Sequence, residues 1–80
     1  MRVTVRYFAS IREEVGLERE EVEVQEGSTV RDLLEALREA RPELRGRRKL
    51  LVAVNGVRSG PERRLREGDI VALLPSVSGG

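Results

Sequence analysis

The residues best suited to chemistry stand at the end of the chain. Pro75-Ser76-Val77-Ser78-Gly79-Gly80 has no charged side chain and finishes in a carboxylate carried by two glycines. At a glycine usage of roughly 7%, a chance Gly-Gly ending has a probability of about 0.5%. The plain alternative is a frayed terminus without a role. A terminal carboxyl has an unperturbed pKa of about 3.5, so it is ionised at neutral pH and is a nucleophile that needs no base from its own chain. Gly79 and Gly80 lack a β-carbon, so nothing crowds the last carbonyl and the chain can pass a narrow channel.

Little else in the sequence competes for a chemical role. There is no cysteine and no histidine. Disulfides, thiolate metal sites, cysteine nucleophiles and the usual neutral-pH proton shuttle are therefore absent. Fifteen cations nearly balance fourteen anions, and fourteen of those cations are arginine. A net charge of +1 gives no general pull toward nucleic acid or an anionic membrane. Five glutamates fall between residues 18 and 26. Their alternation with Val22 and Val24 reads as a solvated strand face rather than a metal or catalytic carboxylate pair. Arg41, Arg45, Arg47, Arg48 and Lys49 form the densest basic stretch. With no neighbouring aromatics to stack on bases, it fits docking to an acidic surface or plain solvation better than RNA binding. No run is long enough to span a membrane and no apolar leader precedes the first strand, which leads us to expect a cytoplasmic protein.

The elements that must position the tail follow from periodicity. Val3, Val5 and Tyr7 alternate with Arg2, Thr4 and Arg6, the pattern of a half-buried strand. Phe8 falls on the polar side. It either turns into a loop or leaves an apolar ring on the outer face for a partner to cover. Residues 9–16 read as a short helical turn capped by Ser10, with Glu13 at the capping-box position and Gly16 at its end. Residues 21–25 read as a second strand. Thr29 caps the principal helix with Asp32 three residues on, and Val30, Leu33, Leu34, Leu37 and Ala40 form its apolar stripe until Pro42 closes it. Leu50–Val54 is a third strand, Asn55-Gly56 a two-residue turn and Val57-Arg58 a short return. Leu65 pins the following loop, and residues 70–74 form the last strand. Leu73 and Leu74 point to opposite faces, so one of them lies exposed beside Phe8. One helix over a small mixed sheet is an α+β fold. The expected division is a domain over 1–74 and an extended tail over 75–80.

Three stretches together make the pattern specific: Val5-Arg6-Tyr7-Phe8-Ala9-Ser10-Ile11-Arg12-Glu13, Val52-Ala53-Val54-Asn55-Gly56, and Gly68-Asp69-Ile70-Val71-Ala72-Leu73-Leu74-Pro75-Ser76-Val77-Ser78-Gly79-Gly80. On these the chain resembles the small, MoaD-type subunit of molybdopterin synthase, within the ubiquitin-like MoaD/ThiS sulfur carriers. Ser76 stands where a second proline is common, and Leu73-Leu74 where phenylalanines are common. The resemblance implies a β-grasp sheet of four to five strands under one principal helix, with the first and last strands parallel at its centre. It implies that an E1-like (MoeB-type) enzyme, using ATP and magnesium, adenylates Gly80. A sulfur donor such as a cysteine desulfurase then supports conversion to a thiocarboxylate. The tail then enters the large, MoaE-type subunit and gives sulfur to cyclic pyranopterin monophosphate. This chain itself binds no cofactor in that scheme. Phe8, Arg58, Leu74, Pro75, Val77 and Ser78 are the expected partner contacts, with Gly79 beside the reacting Gly80. A carrier for thiamine or tRNA thiolation, a protein modifier, and a β-grasp interaction domain with an inert tail remain alternatives.

Overall fold

A computed structural model describes residues 1–47 and 49–76. The chain runs β1 (Arg2–Tyr7), α1 (Ala9–Val15), β2 (Arg19–Glu23), α2 (Val30–Ala40), a 3-10 turn over Pro42–Leu44, β3 (Leu50–Val54), β4 (Val57–Arg58) and β5 (Ile70–Pro75). One five-stranded sheet has the order β2-β1-β5-β3-β4. β5 is central, parallel to β1 and antiparallel to β3. The expected central, parallel pairing of first and last strands is therefore present.

Register assigns two faces to the sheet. Val3, Val5, Tyr7, Val52, Val54, Val71 and Leu73 face the helices and are buried. Ile11 and Val15 of α1 and Val30, Leu33 and Leu37 of α2 join the same core. The alternation of β1 and β5 makes this possible, because every second side chain of a strand points to one face. Burial of such aliphatic side chains contributes roughly 1.5–3 kcal/mol each. Among the described residues, no helix is long and apolar enough to cross a membrane.

Several local expectations need correction. Ser10 does not cap α1. The cap position is Phe8, whose carbonyl accepts from Ile11 N–H at 3.1 Å and Arg12 N–H at 3.3 Å without a side-chain cap. The chain reaches the helix early because Ala9 takes φ 52° and reverses it at once. This left-handed conformation costs an alanine about 1–2 kcal/mol. Ser10 and Glu13 thus fall inside the helix, and the predicted capping pair does not form. Gly16 does end it, at φ 83°. β2 begins at Arg19 rather than residue 21, because pairing with β1 runs from Arg2–Glu23 to Arg6–Arg19. Glu20 consequently shares the inner face with Val22 and is not part of a solvated acidic face. Ala40 is exposed, since Leu44 from the 3-10 turn fills the core position beyond Leu37. Pro75 is still in the ladder, opposite Leu50. The Thr29–Asp32 capping box forms as read.

The start of β5 is held by a small polar network. The Asn55 amide donates to Asp69 at 2.9 Å and accepts from Ile70 N–H at 2.9 Å. Arg66 N–H donates to the other Asp69 oxygen at 2.8 Å. Asp69 is the buried charged residue of the described chain, 7% exposed. Asp69→Ala leaves two donors without their acceptor, so we expect a loss of about 2–3 kcal/mol. For a domain of this size that lowers the melting temperature by roughly 10–20 °C, measurable by thermal or urea unfolding.

Candidate functional site

The site is built from the end of the central strand and the sheet face that neither helix covers. By register, Thr4 and Arg6 of β1, Ile70, Ala72 and Leu74 of β5, Leu51 and Ala53 of β3, and Arg58 of β4 share that outer face. Phe8 continues β1 in extended conformation at φ −122° and ψ 152°, so its ring alternates onto the same face, next to Leu74. Its N–H still bonds the Leu73 carbonyl at 3.2 Å, and the Arg6 guanidinium lies over its ring at 5.0 Å. Phe8 thus serves two local ends. Its backbone turns the chain while its ring stays on the outer surface.

The face is apolar at its centre and basic at its rim. Leu51, Ala53, Ala72, Leu74 and Phe8 are half-buried by one another, while Ile70 is 45% exposed. Leu73 is buried, so Leu74 is the outward member of the leucine pair. Arg58 is exposed at the margin, opposite Ala53. Phe8, Leu74 and Arg58 thus collect on one surface, while Pro75, opposite Leu50, alternates to the helix-covered face at the end of β5. Leu51, Ala53, Ala72 and Ile70 belong to the outer surface too, although no motif singles them out. Cross-strand register is the signal that finds them, and register is not visible in one strand at a time. Val77, Ser78, Gly79 and Gly80 lie outside the described residues. Their base is not in doubt, since Pro75 pairs with Leu50 at the end of β5.

The basic stretch turns out to be largely internal wiring. Arg45 donates to the Arg38 and Glu39 carbonyls at the end of α2, at 2.9 and 3.2 Å. Arg47 bonds Glu14 at 2.6 Å and Ser10 at 2.8 Å, tying α1 to the loop before β3. Arg41 makes two bonds of 2.7 Å to Glu20, and the Tyr7 hydroxyl donates to the same carboxylate. Arg41 thus joins the end of α2 to β2, Arg45 closes the end of α2, and Arg47 joins α1 to the loop before β3, while Lys49 is exposed and Arg48 lies outside the described residues. Among the described residues no three His, Cys, Asp or Glu side chains lie together as metal ligands.

The Tyr7–Glu20–Arg41 group makes stability depend on pH at both extremes. The Arg41 hydrogen bonds hold the Glu20 carboxyl below its ordinary range, against the opposing effect of burial. Burial, and then the bond to Glu20, push the Tyr7 phenol up. The Glu20 contribution is therefore present above the unfolded carboxyl value of about 4.3 and is lost as pH falls through the lower folded value. The Tyr7 contribution is present below about 10 and is lost as pH rises toward its raised folded value. Urea midpoints measured against pH are expected to show a plateau between these limits. Glu20→Gln should lower that plateau by about 1–3 kcal/mol and flatten the acid limb, while Tyr7→Phe should flatten the alkaline one.

Comparison with known proteins settles the family. A family model described as "ThiS family" matches residues 5–80, through the final two glycines. The chain belongs to the ThiS family. A relative from Mycobacterium tuberculosis named "Molybdopterin synthase sulfur carrier subunit" is 39% identical over 82 aligned positions, covering 100% of this chain and 99% of that one. Among solved structures, a putative molybdopterin converting factor subunit 1 from Pyrococcus furiosus superimposes with a TM-score of 0.89 at 31% identity, covering 96% of this chain and 99% of that one. SAMP1 from Haloferax volcanii gives a TM-score of 0.86 at 31% identity, with both chains covered in full at 100%. These matches bear out the likeness to the MoaD-type small subunit and the β-grasp fold. The structure adds α1 to the single principal helix expected.

Proposed function

We propose that this ThiS-family chain is the sulfur carrier subunit of a molybdopterin synthase and that the Gly80 carboxyl is its reactive group. The observation that carries the proposal is the family match running through Gly79 and Gly80, directly beyond the central strand of the sheet. β5 is bonded on both sides and packed into the core, so it is a firm base for a segment to be inserted elsewhere. Four residues follow Ser76. A chain of four residues spans at most about 13–14 Å, which bounds how far from the body the carboxyl can react. Pro75 fixes its own φ and limits the entropy lost on insertion.

The chemistry divides between this chain and its partners. An E1-like, MoeB-type enzyme supplies ATP and magnesium. The Gly80 carboxylate attacks the α-phosphorus, pyrophosphate leaves, and an acyl-adenylate forms. The persulfide of a donor such as a cysteine desulfurase attacks the carbonyl carbon and AMP departs, giving an acyl disulfide; a thiol then attacks the donor's sulfur of that disulfide, forming a new disulfide with the donor and releasing the thiocarboxylate. A MoaE-type large subunit then receives the tail, with cyclic pyranopterin monophosphate as sulfur acceptor. Phe8, Leu74, Leu51 and Ile70 give both partners an apolar surface beside the tail. Val77 offers a side chain for a pocket in the channel, and Ser78 supplies a hydroxyl next to the glycines. Arg58 steers acidic rims toward the same face.

Co-purification tests the pathway. Tagged carrier is expected to retain a molybdopterin synthase large subunit; retention of a thiazole synthase instead would move the assignment to thiamine. A second reading has its own support in the likeness to SAMP1, a small archaeal modifier protein by name. In that reading the same adenylate is passed to an amine of another protein, and amide-linked conjugates would mark it.

A further inference from the structure

The two edges of the sheet are not alike. β4 brings two residues to one of them, whereas β2 brings five to the other. The bonds from Tyr7 N–H to the Glu18 carbonyl and from Val24 N–H to the Met1 carbonyl fix the alternation between β1 and β2. Val5–Glu20 and Val3–Val22 are then the bonded pairs, so Arg19, Glu21 and Glu23 turn their N–H and C=O groups away from β1. Among the described residues no strand lies against them.

Beside this edge α2 leaves room. Ala36 and Ala40, one turn apart and exposed, line a groove of about 440 Å³ with the half-buried Val22 and with Leu37. A second hollow of about 410 Å³ shares Glu23 and Ala36 with it and includes Val24. Charge complementarity names the occupant. Glu18, Glu21, Glu23 and Glu26 are exposed, and their cationic neighbours Arg2, Arg12 and the Met1 ammonium stand 3.4–3.9 Å away. That is longer than a formed hydrogen bond, so the carboxylates keep acceptor capacity. A second copy fits poorly, because an antiparallel pair of β2 strands centred on Glu20 or Glu21 sets that glutamate against itself. β1 shows what does fit. Arg2 stands opposite Glu23 and near Glu21, while the alternate residues Val3 and Val5 are buried.

We propose that the β2 edge binds an extended segment of another protein in which basic and apolar residues alternate. The segment adds to the sheet as a further strand. Its basic residues stand opposite Glu21 and Glu23 and exchange backbone bonds with them, since residues directly opposite share a sheet face. Its apolar residues alternate inward, over Val22 and into the groove beside Ala36 and Ala40. β1 separates β2 from β5, so the segment leaves the apolar surface of Phe8 and Leu74 uncovered.

The test uses the full chain and a capped peptide, acetyl-Arg-Val-Arg-Val-Arg-Val-Arg-amide. Affinity is read by titration calorimetry and amide hydrogen exchange by NMR. Saturating peptide is expected to protect the Arg19, Glu21 and Glu23 amides. N-methylation of the arginine amides, which face β2, should weaken binding by at least about tenfold, whereas N-methylation of the valine amides should leave it nearly unchanged. A peptide with glutamate in place of arginine should not bind. The doubly substituted chain, Glu21→Lys with Glu23→Lys, should reverse that preference. No protection of the three amides, equal losses from both N-methylated series, or equal binding of the two peptides overturns the proposal. Protection that grows with protein concentration in the absence of peptide also overturns it, by assigning the edge to a second copy.

Discussion

Deleting Gly80 is expected to abolish sulfur loading while leaving the domain folded. Removal of one residue retracts the terminal carboxyl by about 3.3–3.6 Å along an extended tail. A misplacement of even 1 Å costs about 100-fold in a positioned reaction, so the loss in loading rate should exceed that factor. The new terminus would also be Gly79 preceded by Ser78, which puts a β-carbon one residue nearer the reacting carbon. The described strands and helices end at Pro75 and the described core at Leu73, so the fold is built from residues well short of the terminus. Urea midpoints of the two chains should therefore coincide. Binding to the large subunit should weaken far less than loading, since the outer face is intact. An interaction domain with an inert tail would show the reverse: no loading to lose and unchanged binding. The measurement is single-turnover loading by an adenylating enzyme, read by intact mass.

The second large effect is expected from Leu74→Asp. Leu74 lies on the outer face, half-buried, opposite Leu51 and next to Phe8. Full burial of a leucine contributes roughly 1.5–3 kcal/mol to association. An aspartate there adds the cost of desolvating a carboxylate without a partner, commonly 1–3 kcal/mol or more. Affinity for the large subunit should fall by at least about 100-fold, on the scale of 1.4 kcal/mol for each factor of ten. The fold should lose much less, because Leu73, not Leu74, belongs to the core. Arg58→Glu at the rim is a useful contrast. It should slow association and reverse part of the salt dependence, with a small change in dissociation. Titration calorimetry and stopped-flow mixing separate the two.

Much of this was legible in the sequence because its signals are local. Alternation in Val3, Val5 and Tyr7 and in Val71 and Leu73 locates β1 and β5 and their buried faces. Asn55-Gly56 locates the hairpin, with positive φ at both residues. Thr29 and Asp32 locate the start of α2. What periodicity misses depends on partners distant in sequence. Glu20 looks like any glutamate of an acidic strand until pairing with Val5 turns it inward, toward Tyr7 and Arg41. Arg45 and Arg47 look like a basic patch until the loop folds them onto the end of α2 and onto Glu14. Ile70 and Leu51 look like ordinary strand residues until register aligns them with Leu74 and Phe8. The Ser10 cap fails because Ala9 accepts a left-handed backbone, which its residue type does not announce. The tail was visible as an unusual ending, and its role rests on the family match and on its exit from the central strand.

One measurement bears most directly on the central claim. The full chain is incubated with an E1-like adenylating enzyme, ATP, magnesium and a sulfur source, and its intact mass is taken with fragment assignment of the terminus. The expected result is a gain equal to exchange of one oxygen for sulfur, located on Gly80 and dependent on ATP. A chain that stays at its original mass while a known carrier in the same mixture is converted would contradict the assignment of Gly80 as the sulfur-carrying group.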